Sequence, residues 1–348
     1  LETQPCFYSP AEVRQRCAQG ACLVLRGCRL YDLSDFVSLH PGGEQLLRER
    51  AGRDVSALLD GPPHRHSDNA RRWLEQYYLG DVHLLGDELE QQREKPVNPA
   101  ALTTAHRMDP RCKTVDEDKD LVDWCKPLLW QVGHLGEKYD EWVHQPVDRP
   151  IRLFHSDFIE SFSKTACLVV SWLYISSCFV EYSIPVSRFC FPALFVAGMG
   201  VWSFVEYLIH RFLFHMKPPA SNYYLITLHF MLHGQHHKSP FDGSRLVFPP
   251  VPASLVIGFF YGLSQFLFPT ALGLALFVGG LFGYVLYDMM HYYLHYGSPR
   301  KDSYLYRLKA YHIKHHFEHQ RAGFGITSTF WDYHFQTLIP EETFEKED

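Results

Sequence analysis

The chain has 348 residues, with 33 Lys and Arg against 39 Asp and Glu and a formal charge of −6. That balance excludes the basic footprint of a nucleic-acid binder, so no nucleic-acid partner is expected. The length suits about two domains. Apolar character is unevenly spread: residues 81–120 are densely charged, whereas the 42 residues from Leu246 to Tyr287 contain no Asp, Glu, Lys or Arg. Such a run is too long for one buried helix and suits two membrane passes of roughly 20 residues each. The nine cysteines are odd in number and show no C-x-x-C spacing. This argues against a disulfide framework or zinc ribbon and predicts reduced thiols on a cytosolic face.

Residues 5–83 alternate short apolar runs with turn residues such as Gly42-Gly43, Gly52 and Gly61-Pro62-Pro63, which predicts a compact α+β domain. No stretch before Phe36 resembles the apolar core of a signal peptide. Residues 84–120, rich in Asp and Glu with Pro96 and Pro99 among them, read as a solvated linker. Residues 121–348 form the membrane part, predicted all-α. Trp124, Trp130 and Trp142 mark an interfacial entry, and four transmembrane helices are predicted at about 163–180, 189–209, 251–269 and 270–290. The first is short, since Thr165–Val180 reaches only about 24 Å against a hydrocarbon core of roughly 30 Å. Apart from Arg188, Lys and Arg lie before the first span, at Arg211–Arg245, and from Arg300 onward. With two hairpins, the positive-inside bias puts these segments and the N-terminal domain on the cytosolic side.

Histidine stands out: 21 residues, 12 of them between His210 and His319. In the N-terminal domain, His40-Pro41-Gly42-Gly43 lies between two apolar segments and His66-Ser67 opens a helix. Leu30-Tyr31-Asp32, Phe36, that turn, Ala51-Gly52-Arg53-Asp54 and His66-Ser67-Asp68-Asn69-Ala70 occur in an order that resembles the cytochrome b5 domain. The resemblance implies haem b gripped by His40 and His66, with His64 as a competing second ligand. Two axial imidazoles leave iron no open position, which suits one-electron transfer.

The remaining clusters are His210-x4-His215, His233-x2-His236-His237, His291-x3-His295 and His312-x2-His315-His316, each near the end of a predicted span. An i, i+4 pair shares a helix face, and each triplet makes a three-toothed face. The i, i+5 pair is splayed by about 140° on an ideal helix. Either His210 and His215 serve different metals, or the helix unwinds before Pro218-Pro219. Ten imidazoles exceed the four or so ligands of one zinc and suit two metal ions.

These boxes, with the stretches HRFLFHMKPP from His210 and HGQHHKSPFDG from His233, resemble the integral-membrane fatty acid hydroxylase superfamily over residues 151–340, here fused to a b5 domain. The resemblance implies that His210, His215, His233, His236, His237, His291, His295, His312, His315 and His316 hold two metal ions. Iron is expected for catalysis, because zinc has no redox chemistry. Zinc is a plausible surrogate, since it binds such donors more tightly than Fe(II).

The activity implied is hydroxylation at carbon 2 of a long-chain fatty acyl group by O2, feeding ceramide-type sphingolipids in the endoplasmic reticulum membrane. Electrons would come from the tethered haem, reloaded by an NAD(P)H-dependent reductase. A b5-fused acyl desaturase is the alternative. A metal transporter would place ligands near the bilayer midplane. The family carries a longer segment before the first box than the 45 residues of Thr165 to Ile209, which leaves the first hairpin open. His229 and His319 are expected beside the ligands rather than among them. Glu206 and Asp288 are candidates to accept a ligand's second ring N–H. Lys217, Arg245, Tyr292 and Tyr293 are candidates for the acyl head group.

Overall fold

A computed structural model describes residues 7–61, 66–82, 121–164, 187, 189–300 and 302–340. The expected linker 84–120, His64 and nearly all of the expected first span lie outside the described residues. The chain divides into two compact units, Leu1–Asp120 and Leu121–Asp348.

The first unit holds β1 (Phe7–Tyr8), α1 (Pro10–Ala18), β2 (Leu23–Arg26), β3 (Arg29–Asp32), α2 (Glu44–Arg48), α3 (Ser56–Asp60), α4 (Asp68–Glu75) and β4 (Tyr78–Val82). The strands form one sheet in the order β1-β4-β3-β2, with β1 parallel to β4 and the other pairs antiparallel. Local chemistry sets the boundaries. Ser9 and Glu12 close a capping box at the start of α1, Gly27 at φ +60° turns the β2–β3 hairpin, and Ser67 caps α4 by accepting from the Ala70 amide. Val24, Tyr31, Val37, Leu47 and Leu74 fill the core.

The second unit is helical: α5 (Leu129–Val132), α6 (Tyr139–Val143), α7 (Asp157–Phe162), α8 (Phe191–Leu208), α9 (Tyr223–His229), α10 (Gln235–Lys238), α11 (Pro250–Leu267), α12 (Thr270–Tyr296), α13 (Tyr304–Phe317) and α14 (Phe330–His334). Two π-helical turns interrupt it, Ile209–Phe214 after α8 and Phe230–Gly234 between α9 and α10.

Among the described residues, two helical runs are long and apolar enough to cross a membrane, Phe191–Phe214 and Thr270–Tyr296. The expected span 189–209 therefore continues through a π turn, and the expected span 270–290 runs on to Tyr296. The expected span 251–269 corresponds to α11, whose apolar part Pro252–Leu267 is shorter. Phe268 and Pro269 separate it from α12.

Helices α8 and α12 pack closely because glycines remove the side chains between them. A Cβ on Gly279 would collide with the Phe195 carbonyl oxygen, and one on Gly198 with that of Leu276. Close approach through small residues is a main source of attraction between helices in lipid. The last turns of α12 carry His291 and His295 into a cap built from α5, α6, α9 and α13.

A buried ion pair pins that cap. Arg245 pairs with Glu160 and donates to the Ile151 carbonyl at 2.7 Å and to Gln235 Oε1 at 2.9 Å. Removing one partner of such a pair costs about 3–5 kcal/mol.

Candidate metal centre

The first histidine pair converges because the backbone leaves α-helical geometry. The His215 amide donates to the His210 carbonyl at 3.0 Å, an i+5 to i bond. A π turn brings residues five apart onto one face. The splay expected on an ideal helix is therefore corrected: His210 and His215 point together, with Nε2 atoms 3.2 Å apart. The second π turn precedes His236 and His237, and the triplet divides. His233 and His237 face one group, and His236 faces the other.

Two groups result. One contains His236, His291, His295, His312 and His316, the other His210, His215, His233 and His237, with ligand atoms in each within 4.8 Å of one another. His315 joins the second, its Nε2 3.0 Å from that of His215. Other Nε2 pairs stand 2.9 Å apart (His295 and His312), 3.1 Å (His312 and His316) and 3.2 Å (His210 and His233). Nitrogens bonded to one metal at 2.0–2.1 Å are about 2.9 Å apart at right angles and about 3.3 Å apart in a tetrahedron. These five spacings match the edges of such a polyhedron.

The ring nitrogens also have the right protonation. His210 Nδ1–H donates to the Phe324 carbonyl at 2.6 Å and His315 Nδ1–H to the Ala322 carbonyl at 2.7 Å. Their Nε2 atoms are then bare lone pairs. Facing lone pairs repel unless a cation lies between them. In the other group, both ring nitrogens of His236 and Nε2 of His291 are buried without a hydrogen bond. Leaving such atoms unsatisfied costs about 1–3 kcal/mol each. Burial, reinforced by neighbouring imidazoles, holds His233, His236, His237, His312 and His316 well below the usual histidine range, and His315 at about 3. The rings are neutral, the state that ligates. The donor set fits two metal ions.

The groups that orient the ligands are not the expected carboxylates. Glu206 accepts from Thr327 Oγ1 at 2.7 Å, and Asp288 is buried in the wall of an apolar cavity. For His210 and His315 backbone carbonyls take the ring N–H groups instead, and the loop that carries the Phe324 carbonyl is pinned by Asp332. Its carboxylate, fully buried, accepts from the amides of Phe324 at 2.9 Å and Gly325 at 2.8 Å, and from Thr337 Oγ1 at 2.7 Å. Sequence reasoning missed Asp332, because nothing local distinguishes it from a surface acid between Trp331 and Tyr333. His229 belongs to neither group, as expected. Its Nδ1 lies 2.6 Å from Tyr139 Oη. His319 is also outside both.

In the first unit, a Cβ on Gly42 would sit 2.8 Å from His40 Cε1, so only glycine leaves that imidazole its place. Phe36 stands edge-on to the ring at 6.0 Å. The His66 amide donates to the Leu59 carbonyl at 3.1 Å, which fixes the start of α4. Both imidazoles lie on loops, and imidazole is the donor that a b-type haem takes at its axial positions.

Comparison with known proteins assigns a family to each unit. Residues 9–83 match the cytochrome b5-like heme/steroid binding domain and residues 195–337 the fatty acid hydroxylase family. Fatty acid 2-hydroxylase from Homo sapiens is 62% identical over 96% of each chain. The ceramide very long chain fatty acid hydroxylase of Saccharomyces cerevisiae is 33% identical over 96% of this chain and 94% of that protein. The chain belongs to the b5-fused fatty acid hydroxylase family. A solved structure of full-length scs7p, in which only the hydroxylase domain is visible, aligns with a TM-score of 0.56 and 35% identity. It covers 63% of this chain and 86% of that one.

In this hydroxylase an apolar cavity of about 460 Å³ lies between α8, α11 and α12. Its lining includes His233 of one group and His236 and His291 of the other, and runs along α11 from Pro249 to Phe268. Of the candidates for the acyl head group, Arg245 lines the cavity but spends its donors on Glu160, Ile151 and Gln235. Lys217 is exposed beside Asp140, and Tyr292 stacks on Tyr296. Neither they nor Tyr293 line the cavity.

Proposed function

We propose that this enzyme is a fatty acid 2-hydroxylase, an O2-dependent monooxygenase that places a hydroxyl on carbon 2 of a long-chain acyl group destined for ceramide-type sphingolipids. The observation that carries this reading is a cavity that joins a greasy lining to both histidine groups. Its volume falls in the range of small-molecule sites. An 18-residue helix such as α11 extends about 27 Å, a length suited to a long acyl tail. The names of the relatives, among them a dihydroceramide fatty acyl 2-hydroxylase from Arabidopsis thaliana, support an acyl group carried by a sphingolipid.

His210, His215, His233, His237 and His315 would hold one metal ion, and His236, His291, His295, His312 and His316 the other. Bound there, a redox-active pair such as iron would supply the activation of O2 that insertion into an unactivated C–H bond requires. The chain's own contribution is positional. Phe324 and Ala322 carbonyls hold ring N–H protons on His210 and His315, so that Nε2 faces inward. Val201, Leu232 and Phe248 keep water from the cavity and guide the tail. His40 and His66 would hold haem b, which passes electrons singly and is reloaded by an NAD(P)H-dependent reductase. Tethering by residues 84–120 replaces a bimolecular encounter with a local concentration. Positively charged segments beside the histidine boxes favour an endoplasmic reticulum membrane protein with both sites on the cytosolic side.

The test is lipid mass spectrometry of cells expressing the chain or its His236→Ala variant. The expected result is 2-hydroxy sphingolipid with the first and none with the second, while the haem spectrum stays intact. His66→Ala is expected to abolish that spectrum. A new double bond in place of a 2-hydroxyl would assign the chain to the desaturases instead.

A further inference from the structure

The segment after the last histidine cluster is inverted for a water-facing helix. In α14 and the residues following it, Asp332 is fully buried, whereas Phe330, Tyr333, Phe335 and Leu338 are 54%, 69%, 41% and 43% exposed. A surface helix of a soluble protein shows the opposite arrangement, with its apolar stripe inward. The position of α14 explains the inversion. Trp331 packs on Phe204 at 4.8 Å and its indole N–H donates to Ser203 Oγ at 3.1 Å. Phe335 stacks on Tyr207 at 5.2 Å and 16°, and Tyr207 Oη lies 2.9 Å from Thr337 Oγ1. All these partners belong to the run Phe191–Phe214, long and apolar enough to cross a membrane. They precede His210 by three to seven residues, about 4–10 Å along the helix axis. The exposed aromatic face is thus set against the flank of a span, below the level of the metal ligands. It continues onto Phe212, itself 62% exposed.

One cation completes the patch. The Arg211 guanidinium donates to Tyr207 Oη at 3.0 Å and lies 5.0 Å from the Phe212 ring centre and 6.0 Å from that of Phe335. Amphipathic rings around a cation with an apolar stem occur where hydrocarbon meets the polar head groups. We infer that α14 and the residues up to Leu338 form an interfacial anchor whose partner is the lipid bilayer at its head-group boundary. Continuity with the flank of a span favours lipid over a second protein.

The anchor also has a structural consequence. Asp332 ties it to the Phe324 and Gly325 amides, and the Phe324 carbonyl holds His210, so the anchor and a histidine of the metal centre share one hydrogen-bonded loop.

The test uses the full chain in phosphatidylcholine nanodiscs, with benzoylphenylalanine replacing Tyr333 or, as a second position, Phe330. The same probe replaces Lys138, exposed on the cap, as the reference, and metal content per chain verifies that each variant is folded. After irradiation, lipid adducts on the peptide holding position 333 or 330 are expected at severalfold the reference level. Adducts no more frequent than at position 138 overturn the anchor. Adducts to another polypeptide in intact microsomes, with no lipid enrichment in nanodiscs, overturn it too and assign the face to a protein partner.

Discussion

The two histidine groups do the same job with different backbones. The group of His236, His291, His295, His312 and His316 draws its i, i+4 pairs from regular turns of α12 and α13, where spacing alone puts the rings on one face. The group of His210, His215, His233 and His237 depends on π turns, and the Asp332-pinned loop holds its His210 and His315 rings. The first is a product of helix periodicity. The second is a product of tertiary restraint, and it offers more places where a change far from the metal alters the site.

That contrast can be broken by removing ligands. His295→Ala and His215→Ala are each expected to reduce hydroxylation to background, with loss of about one metal ion per chain from opposite groups, measured by elemental analysis and product assay. Retention of both ions in either variant would count against two separate sites.

Deleting Phe212, exposed in the first π turn, sharpens the comparison without touching a ligand. The pair becomes i, i+4, His215 is displaced, and metal is expected to be lost from its group while the other group stays loaded. Asp332→Ala tests the loop. Loss of a partner that orients ligands typically weakens metal affinity about 10–100-fold, expected here for the group of His210 only, in a competitive chelator titration.

Acid should act on the metal-free protein. Burial holds His229 at about 4, below the 6.5 of an unfolded imidazole. The unfolded chain therefore binds more protons between those values, and stability is expected to fall as pH drops from 6.5 toward 4. His229→Gln should flatten that part of a denaturation profile. The smallest effect is expected for Tyr139→Phe, which removes the hydrogen bond to His229 and costs about 1 kcal/mol, visible as a lowered denaturation midpoint with activity retained.

Much of the site was legible because its chemistry is local in sequence. Four histidine clusters at helical spacings name the donors, and charge-free runs flag the apolar helices that carry them. For the His210–His215 pair, of the two alternatives the spacing left open, separate metals is the one that fails; the backbone departs from the α-helix instead, as a π turn that nothing in Ile209–Phe214 announces. Glu206 and Asp288 drew attention by lying one turn before ligands, yet the ring after Glu206, His210, is oriented by a backbone carbonyl instead. Arg245 looked available to a substrate, but a distant carboxylate, Glu160, takes it.

The amino-acid sequence alone therefore determined which side chains donate and which helices are apolar, since residue type and period are properties of the chain itself. Only the tertiary structure decided how ten imidazoles divide between two groups, which carbonyls fix their rings, and why Asp332 is buried while its aromatic neighbours are not. Those outcomes depend on contacts between residues about a hundred positions apart, such as His210 with Phe324 and His215 with His315. Their energies come from burial and hydrogen bonding that no local segment can evaluate.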